Sequence, residues 1–423
     1  MNKVTVDLLR EHRRELFSPE QEARSIGMET DDPYPRLLAL AARAPVQAGA
    51  LHELMGIPPQ GRMDWPGHGA YSLFSFNAVN QAFMDSASFT QRTYDKLLKD
   101  HFGDTLLNMD GDEHRRMRNI AKPHFKPSFA ESWWNDKWIV QAVDELFGRI
   151  EKAGRAELNM EICAPLPVSV ISIAFGLPVE EVLPFRLAIH AITGHAGPDK
   201  VAEGQAAFDR ILRTQIALRR KEPRDDLISR IAAGTLQTGE GERPLSDDEV
   251  LRYCALIVFA GGGTTWRQMG ITIFALLNNP EQFEELRSDR SLVRPTIHES
   301  TRWYPTDPVF TRWVAKDTAV EGVELKADSA AYLCVATANR DPLVWEQPDV
   351  FDIRRPMQRH FAFGAGIHAC LGQHLSRQEM EVALNALLDR LPNLRWDPEA
   401  EPSRISGGTL MGRGPETLHV RFG

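Results

Sequence analysis

The sequence predicts a mainly α-helical chain with a minor β region, folded as a single large domain over residues 1–423. Three observations predict it. Helical spacing of apolar residues dominates from Asp110 to Asn278. Strand-like alternation is concentrated between Phe310 and Val335, where Val320-Glu-Gly-Val-Glu-Leu and Ala331-Tyr-Leu-Cys-Val are flanked by turn residues. Neither an internal repeat nor a long Pro/Ser/Gly linker divides the chain. Helices are therefore expected over about 110–305 and 370–392, and strands over about 310–336.

Composition bounds the rest. Hydrophobic residues make up 43% and charged residues 25% of the chain, values usual for a globular protein with a sizeable core. The N-terminus, MNKVTVDLLREHRRELFSPEQEARS, never runs apolar for more than a few residues. No signal peptide and no membrane anchor is expected there, and a cytoplasmic location follows. Cys163, Cys254, Cys334 and Cys370 show no CxxC pairing, so they read as reduced thiols rather than a disulfide or zinc framework. A net charge of −9 argues against nucleic acid as a partner, while leaving room for a local basic cluster at Arg115, Arg116, Lys122 and Lys126.

Within the helical part, breaks are expected at Ala164-Pro165-Leu166-Pro167 and at Gly176-Leu177-Pro178, and Gly234–Pro244 reads as a loop. The clearest element starts at Ser246, where Ser-Asp-Asp-Glu is a capping box and Leu245 with Val250 can form a hydrophobic staple. Nothing stops that helix before Asn278-Asn279-Pro280, which gives a run of about 30 residues, or about 45 Å. Its middle reads Ala260-Gly261-Gly262-Gly263-Thr264-Thr265. Three glycines inside a helix cost roughly 2–3 kcal/mol relative to alanine, so the space they free must serve something. Leu256, Phe259, Ala260 and Gly263 share the face that carries Thr264. A dinucleotide-binding reading of the glycines fails, because that motif needs a preceding strand.

The remaining signal is His360-Phe-Ala-Phe-Gly-Ala-Gly-Ile-His-Ala-Cys-Leu-Gly. Gly364 and Gly366 permit the positive φ angles of a tight loop, and Gly372 removes a side chain where a large body approaches. Cys370 then stands at the N-terminus of an amphipathic helix, where free N–H groups and the helix dipole favour a thiolate. Such a sulfur can be a metal ligand or a nucleophile, and a lone cysteine is by default a buried structural residue. Phe363, Gly364, Gly366, Cys370 and Gly372 in one pattern argue against that default.

This loop resembles the haem-binding loop of the cytochrome P-450 family. The resemblance implies haem b held by the Cys370 thiolate as axial iron ligand, with Gly364 and Gly372 shaping the loop around it. Three further segments fall in the family's order. Glu299-Ser-Thr-Arg302, on a helix opened by Pro295, matches a buried pair that ties this helix to the chain before the cysteine. His114 and Arg118, with Arg312 and His368, match propionate-binding positions, four groups suited to two carboxylates. Ala338-Asn-Arg-Asp-Pro342 and Phe351-Asp-Ile-Arg-Arg-Pro356 match the coil that leads into the loop.

The long helix then passes over the oxygen-binding face, with Ala260 and Gly261 against the haem and Thr264 bonding oxygen or a water that protonates it, unless its hydroxyl bonds back to its own helix. Gly263 stands where relatives usually carry an acid, so proton relay by ordered water is expected there. Leu256, Phe259, Phe310 and Leu410 would line a pocket for a small lipophilic substrate to be hydroxylated or oxidatively dealkylated. No segment remains for a fused reductase, so two electrons per O2 are expected from a ferredoxin and an NAD(P)H-dependent ferredoxin reductase acting on a monomer. A peroxide-driven peroxygenase and a non-catalytic haem or ligand-binding protein are the rival readings.

Overall fold

The computed structural model describes residues 32–58, 64–193, 198–407 and 411–423. The elements that position the site are, in chain order, β1 (Val46–Ala48), β2 (Gly69–Leu73), α1 (Phe76–Met84), β3 (Phe89–Thr90), α2 (Gly111–Ala121), α3 (Pro165–Ala174), α4 (Val179–Thr193), α5 (Asp247–Leu277), α6 (Val293–Trp303), β4 (Val309–Val314), β5 (Ser329–Cys334) and α7 (Gln373–Arg390). Helix dominates, and the five strands form one sheet in the order β1-β2-β5-β4-β3. All neighbours in it are antiparallel except β2 and β5, which run parallel with Ser329 opposite Gly69. The β-rich part is thus a real sheet, but three of its strands, β1, β2 and β3, come from the N-terminal part of the chain.

Helix α5 is the axis of the fold. Ser246 Oγ accepts the Glu249 N–H at 3.2 Å, and Glu249 Oε2 accepts the Ser246 N–H at 2.8 Å, as a capping box requires. Arg243 grips the same carboxylate and, with those bonds, holds it down to about 2 against the effect of burial. From Val250 to Leu277 most side chains are buried, so packing rather than propensity holds a 31-residue helix with three central glycines.

Three expectations are corrected. Gly234–Pro244 contains a hairpin, Thr235–Thr238 with Gly241–Pro244. Its strands are polar and mostly exposed, so they carry no apolar alternation to read. Ala164-Pro165-Leu166-Pro167 is a helix start rather than a break, since proline in the first turn lacks only an N–H that needs no helical partner. Gly176, with φ +64°, does end that helix. Helix α6 opens at Val293 and holds Pro295 in its first turn.

Glu379 lies inside α7 with 2% exposure, and burial pushes its carboxyl up to about 8. A carboxyl whose folded pKa is raised destabilises the fold once pH passes its unfolded value near 4.5, and the penalty grows until the folded value is reached. Glu379→Gln is therefore expected to stabilise the protein increasingly between pH 5.5 and pH 8, on the order of 1 kcal/mol per pH unit. Urea midpoints at both pH values check this. A gap between variant and parent that stays constant with pH would show that the group titrates normally.

Candidate active site

The cysteine loop is built on backbone conformation. Gly364 and Gly366 have φ +62° and +67°, and a Cβ on Gly366 would run into the Phe83 carbonyl at the end of α1. The Cys370 N–H donates to Phe363 O at 2.8 Å, closing the loop. A Cβ on Gly372 would meet nothing within 4 Å, so the space beside it is open. Cys163, Cys254 and Cys334 are buried, whereas Cys370 is exposed. Burial nevertheless pushes its thiol up, Asp307 adding to the effect, against the pull of the Gly372 N–H, Arg118 and Arg377. A sulfur that is both reachable and desolvated lies in an enclosed space.

The expected free thiolate is therefore corrected. Cys370 precedes the Gly372 N-cap of α7 rather than standing in its first turn. The dipole fades over that distance, so desolvation wins until a bound cation takes the proton's place.

Across from the loop, α5 opens a window. Leu256, Phe259, Gly261, Gly263 and Thr264 are half-buried and Ala260 is exposed, in a helix otherwise mostly buried. Thr265 Oγ1 donates to Ser376 Oγ at 3.1 Å, tying this stretch to α7 just past the cysteine. Thr264 Oγ1 donates to Ala260 O at 3.0 Å.

The glycines admit protein rather than solvent. A Cβ would lie 3.0 Å from Ile171 Cδ1 of α3 at Gly261, 3.2 Å from Arg186 Nη1 of α4 at Gly262, and 3.0 Å from Arg267 Nη1 at Gly263. Arg267 Nη1 also donates to Gly263 O at 2.9 Å. The expectation of a water site at Gly263 gives way to a guanidinium there.

On the other side of the loop, His114 is buried and neither ring nitrogen has a hydrogen-bond partner. Burial, His368 and Arg118 push it down to about 3, so it is neutral. Its ring lies 4.1 Å from that of His368, whose Nε2 is 3.1 Å from Asp110 Oδ1. Asp110 Oδ2 accepts the Gln91 N–H at 2.8 Å, and Arg118 Nη2 donates to Ala369 O at 2.5 Å. Arg312, on β4, is buried over the Phe83 ring at 5.1 Å; burial pushes it down, partly offset by Tyr94, to which it hydrogen-bonds.

These residues fit an iron porphyrin. The reachable thiol, the open helix face opposite and the orphaned imidazole of His114, beside Arg118, suit an iron, a flat ring and an anionic edge. Among the described residues no group of three or more His, Cys, Asp or Glu could chelate a metal directly.

The other assigned residues fall as follows. Glu299 and Arg302 form a buried ion pair at 2.7 Å, joined by Arg355 at 3.1 Å. Arg302 Nη1 also donates to Asn339 O and Pro348 O, both at 2.9 Å, in the coil before the loop. Phe310 is half-buried against Phe83, ring centres 5.8 Å apart, and Phe259 lies 6.0 Å from Phe102. Leu410 lies outside the described residues. Arg115, Arg116, Lys122 and Lys126 are all exposed. Behind the loop a groove of about 380 Å³ is lined by Met84, Arg359, Phe363 and Arg377, among others. No helix among the described residues is long and apolar enough to cross a membrane. Sequence reasoning missed Tyr94, Asp110, Arg186, Arg267 and Asp307, which no local spacing marks, and had Arg355 only within a motif.

The profile of the family described as Cytochrome P450 matches residues 205–420. Nocardicin C N-oxygenase of Nocardia uniformis subsp. tsuyamanensis is 34% identical over 75% of this chain and 79% of its own length. The C-19 steroid 1alpha-hydroxylase of Sorangium cellulosum is 29% identical over 96% and 97%. The crystal structure of CYP108D1 from Novosphingobium aromaticivorans superposes with a TM-score of 0.79 and 27% identity, covering 98% of each chain.

Proposed function

The chain belongs to the cytochrome P450 family of monooxygenases, and on that premise we propose that it oxidises a small lipophilic substrate with haem b, whose iron the Cys370 thiolate would hold. The observation that carries this reading is a single reachable, desolvated cysteine just before α7, the helix that Thr265 bonds to the open stretch of α5. His114, Arg118, Arg312 and His368 hold the propionates, the two imidazoles as neutral donors and the guanidiniums as charged ones. Chemistry supplied by the haem is activation of O2 by two electrons and transfer of one oxygen atom to the substrate.

The protein's part is placement and proton handling. Leu256, Phe259 and Phe310 supply apolar wall, and the small side chain of Ala260 keeps the helix face low. Thr264 exchanges its bond to Ala260 O for one to a water or to oxygen, so its hydroxyl carries protons inward. A ferredoxin, itself reduced by an NAD(P)H-dependent reductase, docks on the face that carries Arg115, Arg116, Lys122, Lys126 and the groove behind the loop. The relatives' names span N-oxygenation and steroid hydroxylation, which supports oxygen transfer and leaves hydroxylation and oxidative dealkylation as this chain's expected outcomes.

Turnover is measured with donor proteins and NADH, with peroxide alone, and with neither. Product in the first arm only is expected. In Thr264→Ala the haem spectrum should persist while product per NADH falls about tenfold or more and hydrogen peroxide rises. Unchanged coupling would remove the threonine's role. Activity with peroxide alone would favour the peroxygenase reading, to which Gly263 in place of an acid points, and inactivity in every arm the non-catalytic one.

A further inference from the structure

Arg267 of α5 stands four residues after Gly263 and three after Thr264, spacings that put all three on neighbouring parts of one helix face. Its side chain is 7% exposed and is let in by glycines from two parts of the chain. A Cβ would stand 3.0 Å from Arg267 Nη1 at Gly263, 3.1 Å from Arg267 Cβ and Cγ at Gly414, and 4.0 Å from Arg267 Cζ and Nε at Gly412. Arg267 Nη1 donates to Gly263 O at 2.9 Å, and the guanidinium carbon lies 4.7 Å from the centre of the Trp266 ring. A carbonyl oxygen and an aromatic ring both favour the charged form of the group they touch.

Burial pushes Arg267 down to about 10, with Asp307 opposing, so the guanidinium is charged at neutral pH. Asp307, its countercharge, accepts the Gly412 N–H at 2.9 Å. The positive end of the pair is thus the end bonded to α5. The resemblance implies an acid at position 263, but there the side chain is missing and a guanidinium comes in from the next turn. The sign of the charge is reversed. A carboxyl group can pass protons on, whereas a guanidinium at neutral pH acts through a charge that stays in place.

We propose that Arg267 is a further functional residue of this site, a fixed cation that favours negative charge on whatever binds beside Thr264, so that the site takes small anions more readily than neutral ligands of similar size. The inference rests on the monooxygenase reading and deepens it, because two electrons delivered to oxygen bring negative charge to this place. A guanidinium held in advance by Gly263, Trp266 and Gly414 needs no rearrangement when that charge arrives. Arg186 of α4, whose Nη1 would stand 3.2 Å from a Cβ on Gly262, adds to the same field.

The test titrates azide, an anion, and imidazole, neutral at pH 8, into the haem-loaded ferric protein at one ionic strength. Dissociation constants are read from the absorbance change on binding, with no turnover. Arg267→Met keeps a stem against Gly414 but loses the charge, so azide should bind about tenfold more weakly while imidazole stays within about twofold. Arg267→Lys should restore azide to within about threefold of the parent, since it keeps the charge without the planar fork. A second pair of variants leaves the arginine in place, in case Arg267→Met does not fold. Gly263→Asp sets a carboxylate against the guanidinium and should weaken azide about tenfold, whereas Gly263→Asn, of the same size and uncharged, should stay within about threefold of the parent. Equal azide affinities in the parent and Arg267→Met, parallel losses of azide and imidazole, or a Gly263→Asn as harmful as Gly263→Asp overturns the proposal. If the parent with carbon monoxide lacks the thiolate band, the monooxygenase reading fails instead, so the two failures are distinguishable.

Discussion

Cys370→Ala and Cys370→His are expected to abolish the long-wavelength absorption band that reduced protein gives with carbon monoxide under thiolate ligation. Cys163→Ala, Cys254→Ala and Cys334→Ala should retain it. The contrast follows from position. The last three sulfurs are buried with their thiols pushed up, so none presents a thiolate to an ion. Cys370 alone among the four is reachable, and Arg118 and Arg377 already favour its charged form. Histidine at 370 can still ligate iron, but without a thiolate's electron donation, so haem should be retained more often than in the alanine variant while the band shifts to shorter wavelength. A Cys370→Ala protein that kept the band would sink the assignment of the ligand.

The second large effect is expected at Arg302, which is completely buried. Its guanidinium serves both oxygens of Glu299, at 2.7 and 2.8 Å, as well as the carbonyls of Asn339, Pro348 and Val350. Arg302→Ala would take a donor from the Asn339 and Pro348 carbonyls, leave Val350 O with Arg355 alone, and leave Glu299 with only Arg355 and the Asp352 N–H. Breaking a buried pair from one side costs about 3–5 kcal/mol, a large share of a total stability of about 5–15 kcal/mol. Little soluble, haem-loaded protein should accumulate. Arg302→Lys should rescue poorly, since a single ammonium cannot reach five acceptors in a plane. Glu299→Leu with Arg302→Leu should be less harmful than Arg302→Ala, because the only charge left without its partner is Arg355, which keeps the carbonyls of Glu346, Gln347 and Val350. Urea midpoints for the three variants decide it, and an Arg302→Ala midpoint equal to the parent's would show the pair to be dispensable.

What could be read from the sequence was written locally. The Ser246 cap needs only Glu249, and the cysteine loop needs only its own glycines, so both appear in short windows of sequence. The pairing of Glu299 with Arg302 spans three residues and is equally visible, yet Arg355 joins it from a distant coil and was seen only as part of a motif. Asp110 and His368, or Gly262 and Arg186, meet only after the chain folds, and no spacing rule connects them. Gly263 shows the limit most clearly. Sequence says that the side chain is missing, while the structure shows that Arg267 takes the place.

The parallel pairing of β2 with β5 sets a schedule for assembly. During synthesis β2 emerges early, but the strand that flanks it arrives only after the helices up to α6, α5 included, have been made. Until then β2 presents an open hydrogen-bonding edge on one side, a template for wrong partners. Closing so long a loop is slow, because the chain loses its freedom before the distant contacts repay it. Arg312, which lies on β4 and pairs with Ala331 of β5, is fixed only when this late sheet closes. Cofactor capture is thereby coupled to the final stage of folding, and a nascent chain released before β5 would have helices but no completed anionic-edge site.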